Sequence, residues 1–415
     1  MDKKRLTFIV LLLALSFKMF AQENYSYQPL TKSEQAQINN IVYGNNVNNF
    51  LVNNAIHIGP VDLTDITNII SYNPIEGTRI RLSAQTNNTF SKRLAFRGMV
   101  AFGTEDLEFK YGAGVAYNFA KNAKSVYSFP ASTLSLNYSH NSFMPSASNY
   151  DVAYYSIGSW DRFYFGKQDE VSLNFLQQFP NGLSITPFAN FNRIYSYLLY
   201  DHGMITELLL SGKDLKNYST GLELSWSPKI TQKSLFNIVN SRFYSFHSGV
   251  SLSYSYNYQE YIDSRSYNRV ALSAQHRFYF NPMALDIKVS GGKIFGESFD
   301  YMYFSPNYRV SSISNMFGFN LYSPSEMRFK EYLQTFTQIN FGGVLMDNIP
   351  WFKNFRPNEF LNLKALFTAN YDPYFEAGVG IDHIFGFLGV EVIKRICKEN
   401  PYQMPEWGFK IRCTL

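Results

Sequence analysis

A two-residue rhythm constrains this chain more tightly than any other feature of its sequence. In residues 109–119 the odd positions are Phe109, Tyr111, Ala113, Val115, Tyr117 and Phe119, and between them stand Lys110, Gly112, Gly114, Ala116 and Asn118. A helix would mix these two sets around its circumference, whereas a strand sends them to opposite faces. The same separation returns at 250–258, where Val250, Leu252, Tyr254, Tyr256 and Tyr258 alternate with Ser251, Ser253, Ser255 and Asn257. Residues 134–138 repeat it, and so does the end of the chain, with Trp407, Phe409, Ile411, Cys413 and Leu415 set against Gly408, Lys410, Arg412 and Thr414.

Further strands are expected near 78–86, 94–102, 171–178, 183–191, 219–226, 269–280, 284–291, 329–340, 361–369, 373–381 and 387–396. The chain therefore reads as all-β, and the polar faces say what surrounds it. A solvated sheet face usually carries many Lys and Glu, but these faces are mostly Ser, Gly, Asn and Thr, and charged residues make up only 17% of the chain. Aromatics reach 18% and sit at strand ends as well as centres, as an interfacial girdle requires. If hydrocarbon covers the apolar faces, no sheet edge can stay open, because unpaired backbone groups cost several kcal/mol each in lipid. The expectation is a transmembrane antiparallel β-barrel of about 14–16 strands, spanning residues 76–415. A secreted soluble β protein, with the apolar faces packed on a core, is the alternative.

Other classes fall away quickly. The Tyr and Phe content is incompatible with disorder, and no run approaches the ~20 apolar residues of a spanning helix. Two cysteines, Cys397 and Cys413, are too few for a disulfide framework or a zinc site. Met1 to Arg5 form a basic leader and Leu6–Phe17 an apolar run of signal-peptide length, so residues 1–21 are expected to be a signal peptide cut after Ala21. They hold four cations against Asp2, a net +3, which leaves +2 of the chain's formal +5 and gives no general argument for a nucleic-acid partner. Residues 22–75 are polar and Asn-rich and read as a short periplasmic segment; Thr31 and Glu34 form a capping box for a helix over about 32–42.

Several segments resemble a known family. Asn73–Leu82, Phe90–Arg93, Ala101–Gly103 and Phe109–Gly112 resemble the start of an uncharacterised barrel family of Bacteroidetes-type outer membranes, and Gly342–Lys353 and Tyr374–Phe385 resemble its closing strands. The likeness spans roughly 60–415 and is weakest between about 141 and 330. It extends more distantly to the bacterial surface antigen barrels that insert other outer-membrane proteins. Longer members of the family carry a carboxypeptidase-regulatory-like domain, for which residues 22–59 are too short, and no tandem periplasmic domains of the assembly type stand out. The resemblance implies an outer-membrane barrel without an established activity.

Candidate sites follow from the alternation. If Ile80 and Leu82 meet lipid, Arg79 and Arg81 point inward, as do Arg97, Lys110, Lys410 and Arg412. Closure would gather these six into a basic seam suited to a small anionic solute or a lipid headgroup. The competing expectation, and the favoured one, is that Glu76, Glu105, Glu108, Glu376 and Glu391, or the N-terminal segment, neutralise them. The six histidines show no metal spacing; Asp201–His202 and Ser273 near His276 are the only pairings worth naming, and no nucleophile–base–orienter set emerges. No cofactor, metal or catalysis is expected. Glu105–Asp106 and Asp169–Glu170 read as solvated turns, and Gly112, Gly114, Gly291, Gly292, Gly342, Gly343, Gly378 and Gly380 as places where inward packing or curvature needs a missing side chain. Long connections are expected at about 141–168, 192–217 and 293–327; simple loop packing is preferred for the last, aromatic one over an inward plug. The reading is a passive or gated conduit, or a structural barrel with ligand-binding loops. Its partners would be outer-membrane lipid and the barrel-insertion machinery that reads the C-terminal strand; a role in outer-membrane protein or lipid assembly and a rim hydrolase follow in that order.

Overall fold

The computed structural model describes residues 55–121, 123–143, 162–201, 203–209, 212–227, 248–280, 282–299, 302–306, 316–321, 328–344, 346, 349, 357–369, 371–384, 388–397 and 406–413. The signal peptide expected at 1–21 and the helix expected at 32–42 lie outside them. All described strand pairings are antiparallel. Three short strands open the sheet: β1 (Ala55–Ile58), β2 (Val61–Thr64) and β3 (Ile70–Asn73). β2 and β3 lie end to end beside β4 (Gly77–Thr86), separated by a single 3-10 turn at Ile66–Asn68. The sheet thus begins before residue 76, inside the stretch read from sequence as a separate N-terminal segment.

A meander follows: β5 (Leu94–Gly103), β6 (Phe109–Asn118), β7 (Ser132–Phe143), β8 (Arg162–Gln178) and β9 (Leu183–Asp201). A short β10 (Met204–Glu207) folds back on the end of β9, and β11 (Leu215–Trp226) pairs with the rest of that strand. The run continues through β12 (Gly249–Glu260), β13 (Ser264–Phe280), β14 (Met283–Gly296) and β15 (Glu331–Asn340). It ends with β16 (Asn358–Thr368), β17 (Tyr374–Ile384), β18 (Leu388–Ile396) and β19 (Trp407–Cys413). Counting β2–β3 as one strand and setting aside the side hairpins β1 and β10, sixteen strands cross the sheet among the described residues. The even count makes β19 antiparallel to β2–β3, the polarity that closure demands.

The distribution of side chains is inverted relative to a water-soluble protein. On β4, Arg79 is fully buried while its neighbours Ile80 and Leu82 are 53% and 52% exposed. Lys110 is buried between exposed Phe109 and Tyr111, and Arg412 is buried beside exposed Ile411. Register carries the pattern from strand to strand, since a one-residue slip would turn every cation outward. The buried face curls upon itself. Arg412 on β19 donates two hydrogen bonds of 3.0 Å to Gln338 Oε1 on β15, four strands away. Arg328, just before β15, stacks over Tyr164 of β8 at 4.0 Å. Such contacts curve the polar face inward and leave the apolar face outside, as in a β-barrel, although among the described pairings none joins β19 to β2.

The outer face carries ring contacts at both ends of the strands. Tyr111 stacks on His140, which stacks on Tyr195, with centroids 5.1 and 5.6 Å apart. At the other end Phe90 packs edge-on against Phe96 and Tyr117 against Phe119. Two expectations need correction. Asp169 and Glu170 lie within β8, not in a turn, and so face opposite ways: Asp169 accepts from His140 outside at 2.7 Å, while Glu170 accepts from Gln168 inside at 3.2 Å. The connection placed at 192–217 is largely strand, because β9 runs on to Asp201.

Candidate functional site

The interior has two walls of different chemistry. One is charged and borders the two ends of the sheet. Glu76, fully buried in the tight turn before β4, lies 3.3 Å from Arg79 and 3.0 Å from Lys110, accepts from Ser142 at 2.9 Å and takes Asn73 Nδ2 at 2.7 Å. Burial resists ionisation of its carboxyl, but Arg79 and Lys110 outweigh it and hold the group below its ordinary value. Lys110 also meets Asp106 at 2.6 Å, and Arg81 meets Asp65 at 3.1 Å. Across the seam Arg412 lies 3.3 Å from Asp382. Arg97 donates to Gln85 at 2.9 Å and to the Tyr127 hydroxyl. Burial pushes the Tyr127 phenol up against the pull of Arg97.

Of the six cations selected from sequence, Arg79 and Lys110 meet at Glu76, Arg81 and Arg97 on β4 and β5 have separate acceptors, and Lys410 and Arg412 lie on β19. Among the residues expected to neutralise them, Glu76 does so directly. Glu108 pairs instead with Lys167 at 2.6 Å, while Asp65, Asp106 and Asp382 meet Arg81, Lys110 and Arg412. Ser273 and His276 are three apart on one strand, so they face opposite sides and cannot act together; His276 meets Ser248 Oγ at 2.7 Å instead. The side chains of Asp201, His202 and His383 lie outside the described ones. Among the described residues no three His, Cys, Asp or Glu gather as metal ligands.

The second feature of this wall is a strap. The sequence favours simple loop packing over an inward plug for the connection between β14 and β15, but its described pieces fold inward. Phe304 and Phe329 exchange two backbone hydrogen bonds of 2.9 Å, pinching its base. Phe319 is fully buried against Phe336 and Tyr374, with centroids at 5.1 and 5.4 Å. Glu376 on β17 takes the backbone N–H of Asn320 (2.9 Å) and of Leu321 (2.8 Å) together with the Tyr374 hydroxyl at 2.8 Å. Lys364 on β16 donates to Gly318 O at 2.7 Å. A carboxylate taking backbone N–H groups forms charge-assisted bonds, stronger than neutral ones. Two glycines make room: a Cβ on Gly292 would lie 2.6 Å from Phe304 Cζ, and one on Gly408 would lie 2.3 Å from Leu321 Cδ2. Gly342 and Gly343, expected to serve packing or curvature, take positive φ of 66° and 85° in the turn after β15, and a Cβ on Gly342 would also press on Pro282 O.

The opposite wall, on β8–β12, is dominated by amides, with Glu170 of β8 at the head of one row. Register sets Asn192, Asn217 and Gln259 in one cross-strand row and Asn190, Ser219 and Asn257 in the next. Adjacent members stand ~4.8 Å apart across the strands. The Oδ1 atoms of Asn190, Asn192 and Asn217 are buried with no hydrogen-bond partner among the described residues. The strap touches this wall too, since Phe299 N donates to Gln259 Oε1 at 3.3 Å. Sequence reasoning passes over the amide rows, and it sets an inward fold of the strap behind simple loop packing. The period-two alternation marks the rows as polar, but only register aligns them.

With this geometry in place, residues 219–381 match the model of a family of unknown function, the DUF5686 C-terminal domain. The match lies partly in the stretch where the residue-level resemblance was weakest. No curated protein matches the chain. Among solved structures, CdiB from Acinetobacter baumannii is similar at 10% identity and TM-score 0.42, over 82% of this chain and 58% of that one. BamA from Haemophilus ducreyi, in a form lacking POTRA domains 1–3, is similar at 10% identity and TM-score 0.45, over 82% of this chain and 69% of that one.

Proposed function

We propose that this protein is an integral outer-membrane barrel acting as a gated conduit for small, neutral, hydrophilic solutes. Its outward faces, with Leu82, Val100, Leu136, Leu252, Val379 and Phe409 exposed, suit hydrocarbon rather than water. The end of β19 and the start of β2 share one end of the barrel, assigned here to the periplasm. The alternating C-terminal strand, with Trp407, Phe409 and Ile411 outward, is the part for insertion machinery to read.

The observation that carries the reading is the hold of Glu376 on the strap. Three donors converge on one buried carboxylate: the backbone N–H groups of Asn320 and Leu321 in the strap, and the Tyr374 hydroxyl beside it on β17. Releasing the strap opens a path along the amide rows. Amides donate and accept at once, as hydroxyl-bearing solutes do, and the fixed cations opposite already have partners. The described residues add no separate observation for a role in assembling other barrels.

Single-channel recording in planar bilayers tests this. The wild-type barrel is expected to stay mostly closed, and the Lys364→Met/Glu376→Leu double variant, which removes both charges together, to raise open probability at least tenfold. Equal conductance in both proteins, with heat-modifiable gel mobility retained, would remove the gate.

A further inference from the structure

The cations singled out in the interior have partners; a different set has no acidic partner among the described residues. Lys92 and Arg93 lie in the connection between β4 and β5, and Lys121 and Lys124 in that between β6 and β7. Neither 87–93 nor 119–131 contains an Asp or Glu. Strand pairing puts the two connections side by side: the Arg93 guanidinium donates to Lys121 O at 3.1 Å, and Asn118 N donates to Arg93 O at 2.8 Å. Each connection is internally braced, with Ser91 Oγ accepting from Arg93 N at 3.2 Å and Asn118 Oδ1 from Ala120 N at 2.8 Å. Between them lies an open cleft lined by Ser91, Lys92, Arg93, Lys121, Ala123 and Lys124.

Like charges this close on a fixed frame repel unless an anion sits among them. The cleft's height on the barrel selects the anion. Phe90–Phe96 and Tyr117–Phe119, ring pairs of the outer face at this end, belong to the same two hairpins. Aromatic pairs of this kind mark the level where hydrocarbon gives way to headgroups. We infer that this cleft binds the phosphate headgroup of an anionic phospholipid in the periplasmic leaflet. The inference rests on the membrane reading above but not on the gate. Basic residues beside the aromatic belt hold such lipids by charge, so the binding is salt-sensitive.

The test uses the full chain purified in mixed micelles of phosphatidylglycerol and phosphatidylethanolamine, with retained lipids counted by native mass spectrometry. Wild type is expected to retain phosphatidylglycerol over phosphatidylethanolamine by at least fivefold at low salt. Lys92→Gln/Arg93→Gln and Lys121→Gln/Lys124→Gln should each reduce that preference about threefold, and all four substitutions together should abolish it. An unchanged lipid ratio in the fourfold variant, with heat-modifiable mobility intact, overturns the cleft alone. Displacement of phosphatidylglycerol by an equal concentration of glycerol phosphate would assign the site to soluble phosphoesters and overturn the lipid. Absence of heat-modifiable mobility in wild type would instead sink the membrane reading beneath it.

Discussion

The two inner walls of this barrel handle polarity in opposite ways. On β4–β6 and β15–β19, full charges are buried against counter-charges and polar groups: Glu76 against Arg79 and Lys110, Asp382 against Arg412, Glu376 against the backbone of the strap. On β8–β12, uncharged amides line up by register and leave oxygens unpartnered among the described residues. Buried charges are costly unless matched, and once matched they fix a unique arrangement at the expense of adaptability. Neutral amides cost less to leave open to solvent or solute. The charged wall is thus suited to anchoring, and the neutral wall to passage.

The largest expected difference between them comes from removing one member of each. Glu76→Leu leaves Arg79 and Lys110 short of their shared carboxylate and should cost on the order of 3–5 kcal/mol. Asn192→Leu should change stability by less than ~1 kcal/mol, since it deletes a group with no partner to lose. Urea midpoints of the micelle-embedded barrel report both. Comparable losses at the two sites would erase the distinction.

Phe319→Ala empties the seat between Phe336 and Tyr374. Truncating a buried phenylalanine typically costs ~3 kcal/mol or more, and here the loss should fall on the strap rather than on the whole barrel. Faster amide exchange confined to 316–321 would show it; a uniform increase across the strands would not fit.

Acid should sharpen the contrast further. The Glu76 carboxyl is held below its ordinary value of 4.5, so its contribution is complete above that pH and is lost as pH falls through the lower, folded value. Exchange in β4–β6 is expected to rise in that window while β8–β12 stays level. The smallest effect is reserved for selectivity. Arg79→Gln/Arg81→Gln should leave anion preference unchanged, because these cations are matched by Glu76 and Asp65. A clear fall would revive the free basic seam.

The strands were legible because period two survives any uncertainty in their ends, and the inward direction of Arg79, Lys110 and Arg412 followed from it. β8 was misjudged where Asp169 and Glu170 imitate a turn; their opposite environments on the two faces of a strand appear only with the register. The strap was illegible for another reason. Its anchors are backbone groups, Gly318 O and the N–H of Asn320 and Leu321, and a backbone donor leaves no mark in a sequence. The rim cleft was hidden because Arg93 and Lys121 are 28 residues apart, and only the intervening hairpin makes them neighbours.

All of this depends on which face meets hydrocarbon. Spin labels placed singly at Leu252 and Ser253 of the bilayer-reconstituted barrel, with both native cysteines replaced, decide it. The label at 252 should collide with oxygen dissolved in lipid, and the label at 253 with a water-soluble nickel chelate. Chelate access at both positions, or a label at 252 immobilised and shielded from both reagents as in a protein core, would contradict the account.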